Sequence, residues 1–217
     1  MVDTLRNYIN SIRRDFANRP LDESSVPADP YYLFERWFDE AVGAQVLDPY
    51  AMIIATAGLD GQPTSRVVYM RDISKSGLVF YTNFESNKGK NLIENPKASA
   101  LFFWGDLDRQ IRVEGRVVKA DDELSDAYFS KRPRESQIGA WASAQSSVLL
   151  SRAELEQKVE QLTREFEGKD IPRPPFWGGF LLMPDSFEFW QGRPSRLHDR
   201  ILFTKAGEAW QTSRLSP

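Results

Sequence analysis

His198 is the single histidine of the chain, and it lies in a stretch, Trp190 to Arg200, that reads W-Q-G-R-P-S-R-L-H-D-R. Imidazole is the side chain that most readily gains or loses a proton near neutral pH. Here it is accompanied by three arginines, an aspartate and a tryptophan. In an extended segment side chains alternate faces with period two. Arg196, His198 and Arg200 would then share one face, with Leu197 and Asp199 on the other. That set suits an anionic, planar ligand. A charged edge strand with an incidental histidine is the plainer alternative.

Other clusters also suit anions. Arg66 and Arg71 lie at the two ends of R-V-V-Y-M-R, an odd separation that puts them on opposite faces of a regular strand. They would serve two separate anions, or be ordinary strand-end charges. Ser86-Asn87-Lys88-Gly89-Lys90 falls where a helix begins. Free amides and the positive end of the helix dipole favour an anion there, and Lys88 adds a full charge; Ser86 as a plain N-cap is compatible with this. Between Tyr128 and Gln137, Lys131, Arg132 and Arg134 surround Pro133. Guanidinium forks bind phosphate oxygens bidentately, and the hydroxyls of Tyr128 and Ser136 would complete a cradle; a charged helix–helix loop reads equally well. Trp190 and Glu188 share the strand face opposite Phe187 and Phe189, so Trp190 can line a pocket, although aromatics this dense are usually core. Gln145-Ser146-Ser147 reads as a polar turn. Asp48-Pro49 reads as a turn before the first strand, with a buried carboxylate near a ligand as the alternative.

Composition narrows the chemistry. With no cysteine and one histidine, disulfides, thiolate catalysis and metal sites built on thiolates or several imidazoles are excluded, and no metal is expected. A net charge of −3 gives no global field for nucleic acid or an anionic membrane. No apolar run approaches a membrane span, and the N-terminus lacks a signal-peptide core, so a cytoplasmic protein is expected. Hydrophobic residues, 41% of 217, suffice for a real core.

The elements that must position these groups follow from periodicity. Leu5, Ile9, Ile12 and Phe16 predict a helix over 3–17, and 18–30 reads as a polar linker. Asp29 as N-cap and Pro30 at the first helical position open a helix with an apolar face of Leu33, Phe34, Trp37, Phe38, Ala41 and Val42. From Tyr50 the pattern is β. Strands over 51–57 and 64–71 are joined by an Asp60-Gly61 hairpin signal, and 78–82, 98–104 and 109–119 follow, the last with Ile111, Val113 and Val117 on one face. Short helices are predicted over 86–94, 121–130 and 136–144. Ser151 and Glu154 form a capping box for a helix with a buried stripe of Leu155, Val159, Leu162 and Phe166. Strands at 178–183, 186–191, 197–204 and 208–214 complete the chain. Many short strands in hairpin order favour an antiparallel barrel with peripheral helices. Neither a Rossmann glycine pattern nor a Walker A sequence is present.

PADP at 27–30, LFERWF at 33–38, FYTN at 80–83, RPRESQIGAWAS at 132–143, FWGGF at 176–180, EFWQG at 188–192, RLHDR at 196–200 and the terminal RLSP together make the chain resemble the pyridoxine/pyridoxamine 5′-phosphate oxidase family, over about residues 12–217. The resemblance implies a mainly β fold with peripheral helices, an antiparallel Greek-key split β-barrel, in a homodimer with FMN at the subunit interface. It implies an N-terminal segment, 1–28, acting as a partly flexible lid, and a single FMN-binding domain, 29–217, that includes a C-terminal dimerisation region. Arg66 and Lys88 match residues that hold the FMN phosphate. Val67, Val68, Tyr69, Met70, Arg71, Tyr81, Thr82 and Gln110 match those that line the flavin, and Gln145, Ser146, Trp190 and Arg200 match flavin contacts from the other subunit. Arg71, Tyr128, Arg132 and Ser136 match a cradle for the substrate phosphate. Arg196, Leu197 and His198 match residues at the pyridine ring, Asp48 a carboxylate near the reacting centre, and Arg13 and Phe16 the lid. Three positions depart from the pattern. Arg71 stands where lysine is usual, Asn87 where an arginine often meets the FMN phosphate, and Phe16 where some members have tyrosine.

The reaction so implied is oxidation of pyridoxamine 5′-phosphate and pyridoxine 5′-phosphate to pyridoxal 5′-phosphate, with O2 as acceptor, H2O2 as product and ammonia released from the amine. Arg196 would orient the pyridine ring, and His198 or Asp48 would handle the proton. Two alternatives stay open: another flavin oxidase on the same barrel, of the phenazine-pathway type, and a non-catalytic flavin- or pyridoxal-phosphate-binding protein.

Overall fold

The computed structural model describes residues 2–11, 16 and 19–217. Arg13 of the expected lid lies outside the described residues, as do residues 12–15 and 17 of the helix predicted over 3–17. The described part of that helix is α1 (Val2–Ser11). Helix α2 (Pro30–Gly43) begins as its sequence predicts: the Asp29 carboxylate accepts the Tyr31 N–H at 2.9 Å, and Pro30 occupies the first turn. Its face of Leu33, Phe34, Trp37 and Ala41 is buried, Phe38 is half-buried, and Val42 is exposed. The remaining elements are β1 (Ala51–Ala57), β2 (Pro63–Tyr69), β3 (Asp72–Ser74), β4 (Gly77–Asn83), α3 (Asn87–Glu94), β5 (Lys97–Trp104), β6 (Arg109–Lys119), α4 (Asp122–Ser130), α5 (Arg134–Ala142), α6 (Arg152–Glu165), β7 (Trp177–Gln191), β8 (Asp199–Ala206) and β9 (Ala209–Arg214).

Two compact units are distinguishable. One comprises residues 50–102 and 113–185. Its strands hydrogen-bond in the order β2-β1-β5-β6-β7-β4-β3, with β1–β2, β1–β5, β3–β4 and β4–β7 antiparallel. Strand β2 also lies against β4, which curls the sheet towards closure. Met52, Ile54, Leu78, Phe80, Ala100, Phe102, Val113, Phe180 and Leu182 fill its interior. A second cluster of Phe129, Ile138, Ile171 and Trp177 seats the helices beside the sheet. The other unit comprises residues 1–49, 103–112 and 186–217. There β7 pairs antiparallel with β8, and β8 with β9, around Leu33, Phe34, Trp37, Trp104, Phe187, Phe189, Ile201 and Phe203. This mainly antiparallel nine-stranded architecture with peripheral helices is a split β-barrel. Among the described residues no helix is long and apolar enough to cross a membrane.

Several boundaries differ from expectation. The strand expected over 64–71 stops at Tyr69, because Met70 N–H donates to Tyr50 O and Arg71 N–H to Val79 O as the chain turns into the short β3. The strands expected at 178–183 and 186–191 are one, β7, running through Pro184. On β6, Gly115 accommodates that stretch: a Cβ there would lie 2.0 Å from Met183 O. The α6 stripe of Leu155, Val159, Leu162 and Phe166 is half-buried, not buried. The strand expected from 197 begins at Asp199, because residues 194–196 form a 3₁₀ turn.

Candidate functional site

The loop ends and helices of the residue 50–102 and 113–185 unit enclose a cleft of about 760 Å³, a size typical of small-molecule sites. Strand β2 and the turn after it supply Arg66, Val67, Val68, Tyr69 and Arg71. Strand β4 supplies Tyr81, Thr82 and Asn83. The start of α3 gives Asn87 and Lys88, and the α4–α5 region gives Tyr128, Arg132, Ser136, Gly139, Ala140 and Ser143. Gln145, Ser146 and Trp177 complete the wall. Four lining side chains are cations, and among the described residues that line the cleft none is acidic. In a chain of net charge −3, that segregation calls for an anionic occupant.

Lys88 is held from three sides. Its Nζ donates to Thr82 Oγ1 at 3.0 Å, Gln145 Oε1 at 3.1 Å and Ser86 Oγ at 3.3 Å. Burial, and then the neighbouring Arg66, push its pKa down to about 8. Ser86 caps α3 by accepting the Gly89 N–H. Gly89 is required there, since a Cβ would sit 2.3 Å from Phe84 O. The Arg66 guanidinium donates to Thr56 Oγ1 at 2.9 Å and Thr64 Oγ1 at 2.6 Å, and to the Ile54 and Thr64 carbonyls; burial disfavours its charge.

Arg71 was expected on the face opposite Arg66, yet both line the cleft, because β2 ends before Arg71 and the alternation ends with it. Its guanidinium lies 5.0 Å from the Tyr69 ring and 5.6 Å from that of Tyr50. Arg132 lies 4.6 Å above the Trp177 ring, with Nη1 buried and, among the described residues, without a hydrogen-bond partner. Its charge is disfavoured by burial and by Arg71, and favoured by Tyr128. Of the other two cations in that cluster, Arg134 donates to the Phe166 and Lys169 carbonyls beyond α6, and Lys131 is exposed. Tyr81 and Tyr128 stack at 3.9 Å and 3°; burial, and then Tyr128, push the Tyr81 pKa up.

Thirteen expected site residues thus meet in one cleft: Arg66, Val67, Val68, Tyr69, Arg71, Tyr81, Thr82, Lys88, Tyr128, Arg132, Ser136, Gln145 and Ser146. Met70 does not join them; it is buried beside β2. Gln145 and Ser146 were expected to reach the flavin from the other subunit. Within this chain they line the cleft, where Gln145 Oε1 accepts from Lys88 and Ser146 Oγ from the Asn87 N–H. Asn83, Gly139, Ala140, Ser143 and Trp177 were not singled out from the sequence, although all five lie within the FYTN, RPRESQIGAWAS and FWGGF motifs.

The remaining expected residues belong to the other unit. The alternation predicted for Arg196, His198 and Arg200 does not occur, because Ser195 and Arg196 take left-handed φ values of 58° and 61°. His198 packs 4.5 Å from Trp190 and 5.2 Å from Phe16. Its Nδ1 accepts the Arg193 N–H at 3.1 Å. Burial, and then Arg196, push its pKa down, with Asp199 opposing. Arg200 Nε donates to the buried Glu188 at 2.8 Å, which raises its pKa. Leu197 is exposed, Gln110 is half-buried on β6, and Asp48 is half-buried in a turn at φ 48°.

Comparison with known proteins places this arrangement. The sequence profile described as pyridoxamine 5′-phosphate oxidase matches residues 38–164, and that of the pyridoxine 5′-phosphate oxidase C-terminal dimerisation region matches 177–217. The chain belongs to the pyridoxine/pyridoxamine 5′-phosphate oxidase family. Proteins of that name from Rubrobacter xylanophilus and Burkholderia lata are 46% identical over all of both chains, and 50% identical over 95% of this chain and 97% of the relative. Among solved structures, PhzG of Burkholderia lata 383, in complex with tetrahydrophenazine-1-carboxylic acid, is 33% identical with a TM-score of 0.86, covering 92% of this chain and 99% of that one. A pyridoxamine 5′-phosphate oxidase-related, FMN-binding protein of Nostoc punctiforme shares the fold, at 16% identity and a TM-score of 0.69 over 88% of this chain and 100% of that one. This chain is an oxidase of the family.

Proposed function

We propose that this chain binds FMN and oxidises pyridoxamine 5′-phosphate and pyridoxine 5′-phosphate to pyridoxal 5′-phosphate, reducing O2 to H2O2, as a homodimer. The observation that carries this reading is the cationic cleft whose described lining has no carboxylate. A phosphate monoester carries up to about two negative charges near neutral pH, so two such ligands match four cations. Arg66 and Lys88 with the start of α3 suit the FMN phosphate. Arg71, Arg132, Tyr128 and Ser136 suit the substrate phosphate. The buried, unpartnered Arg132 Nη1 supports that assignment, because an orphaned donor is costly until a ligand accepts from it.

When bound, FMN supplies the redox centre that takes two electrons from the substrate and passes them to O2. The alcohol loses two hydrogens to become the aldehyde. The amine loses two to become an imine, which water hydrolyses to the aldehyde and ammonia; O2 gains two electrons and two protons. Because His198 Nδ1 accepts from Arg193, the neutral ring carries its proton on Nε2. That disposition makes His198 a donor towards the substrate, with Arg196 orienting the pyridine ring and Asp48 the carboxylate left to take the proton. The match of 177–217 to a dimerisation region supports the homodimer, as do Ile53 and Val67, cross-strand partners that are both exposed. In this reading Trp190 to Arg200 closes the partner's cleft.

The test is direct. Purified protein with FMN and pyridoxamine 5′-phosphate should release peroxide and aldehyde together. Tight binding without turnover would instead indicate a carrier. The likeness to PhzG favours a second reading, and turnover confined to unphosphorylated aromatic carboxylates would establish it.

A further inference from the structure

We infer that Trp177 is a positioning residue for the substrate phosphate: its indole face holds the Arg132 guanidinium so that the in-plane N–H donors stay available to an anion. This rests on the cradle assigned above to Arg132.

A cation can be held in a protein interior in two ways. A carboxylate neutralises it and uses its N–H groups, as Glu188 does for Arg112 and Arg200. An aromatic face attracts the charge through the ring quadrupole and leaves the donors unused. Arg132 is held in the second way. Its Cζ is 4.6 Å from the Trp177 ring centroid and 5.7 Å from that of Phe129, and its Nη1 is buried without a partner among the described residues. Tyr128 favours its charge and Arg71 opposes it, and the faces it rests on are those of Trp177 and Phe129.

Trp177 is built to be rigid. It opens β7 opposite Asn83, its N–H donates to Pro174 O at 3.0 Å, and its carbonyl accepts from Arg173 at 2.7 Å. The residue is 7% exposed, and its ring lies within 8° of parallel to both Tyr81 and Tyr128. The Phe129 ring meets it at 65°. A plane so fixed transmits its orientation to the guanidinium resting on it.

Steady-state kinetics of Trp177→Leu, Trp177→Tyr and Trp177→Phe, each alone and with Arg132→Ala, test the inference. For Trp177→Leu, KM for pyridoxamine 5′-phosphate and the inhibition constant of inorganic phosphate should both rise about tenfold. The turnover number should stay within about threefold, and FMN affinity, read by flavin fluorescence, within about twofold. The Tyr and Phe variants should show smaller rises, and no substitution should add to the KM effect of Arg132→Ala. Unchanged KM, a loss carried by turnover or FMN release, or additivity with Arg132→Ala would overturn the inference. If the Leu variant does not fold, Trp177→Met removes the aromatic face in its place, and wild-type KM there would overturn the inference equally. Arg132→Ala without a change in KM would instead sink the phosphate cradle itself.

Discussion

Arg109, Arg112, Arg193, Arg200 and Arg214 each lie within ion-pair distance of a carboxylate, supplied by Glu40, Glu188, Asp199 and Glu23. Arg66, Arg71 and Arg132 face hydroxyls, carbonyls and aromatic rings. The first set belongs to the unit of α2 and the C-terminal strands, the second to the unit that carries the cleft. In the first, the fold itself neutralises the charge, and the donors are used in holding chain segments together. In the second, no carboxylate neutralises the charge, and at Arg132 a buried donor is left for something that arrives from outside. The contrast is between these two sets and not between whole units, since Arg173 of the cleft unit is paired with Asp122 and Asp126; what separates the sets is the presence of a carboxylate.

Substitutions should separate the two sets. The largest effect is expected for Arg132→Ala, which should lower kcat/KM for the phosphorylated amine on the order of 10²-fold with little change in melting temperature. Next comes Glu188→Gln. Removing a carboxylate that is 3% exposed takes the counter-charge from two guanidinium groups. Because those are partly solvated, the loss of stability should be about 2–3 kcal/mol by denaturant titration, and an unchanged midpoint would erase the distinction between the sets. A pH effect follows from Lys88. Its pKa in the free protein is pushed down to about 8, whereas a bound phosphate favours the protonated form. FMN affinity should therefore hold below about pH 8 and fall by up to about tenfold per unit above it; a flat profile to pH 9.5 would remove Lys88 from the FMN phosphate. The smallest effect is expected at Glu23, exposed and paired with Arg214, whose carboxyl is pulled down to about 2. Its contribution is present above the ordinary carboxylate pKa of 4.5 and is lost as pH falls towards 2. Glu23→Gln should lower the melting temperature slightly at pH 7 and low salt, and not at high salt.

Much of this was legible in the chain. Asp29-Pro30, Asp60-Gly61 and the Ser86 and Ser151 caps are local signals, and local signals predicted the elements they begin or join. The cleft cations were also legible, because Lys88 and Arg132 sit at recognisable helix starts and turns. Three things were not. Left-handed Ser195 and Arg196 carry no glycine to announce them, so the Trp190–Arg200 stretch read as extended. Trp177 lies among aromatics and reads as core, although its face serves a cation. Which arginines are neutralised depends on partners such as Glu188, 76 residues from Arg112, and periodicity says nothing about pairs so distant.

The most direct measurement compares kcat/KM for pyridoxamine 5′-phosphate with that for unphosphorylated pyridoxamine, in the wild-type enzyme and in Arg132→Ala. A cationic cradle built for phosphate predicts a wild-type preference of at least about 10³-fold for the phosphorylated amine. In the variant, most of that preference should disappear. The same ratio in both enzymes would contradict it.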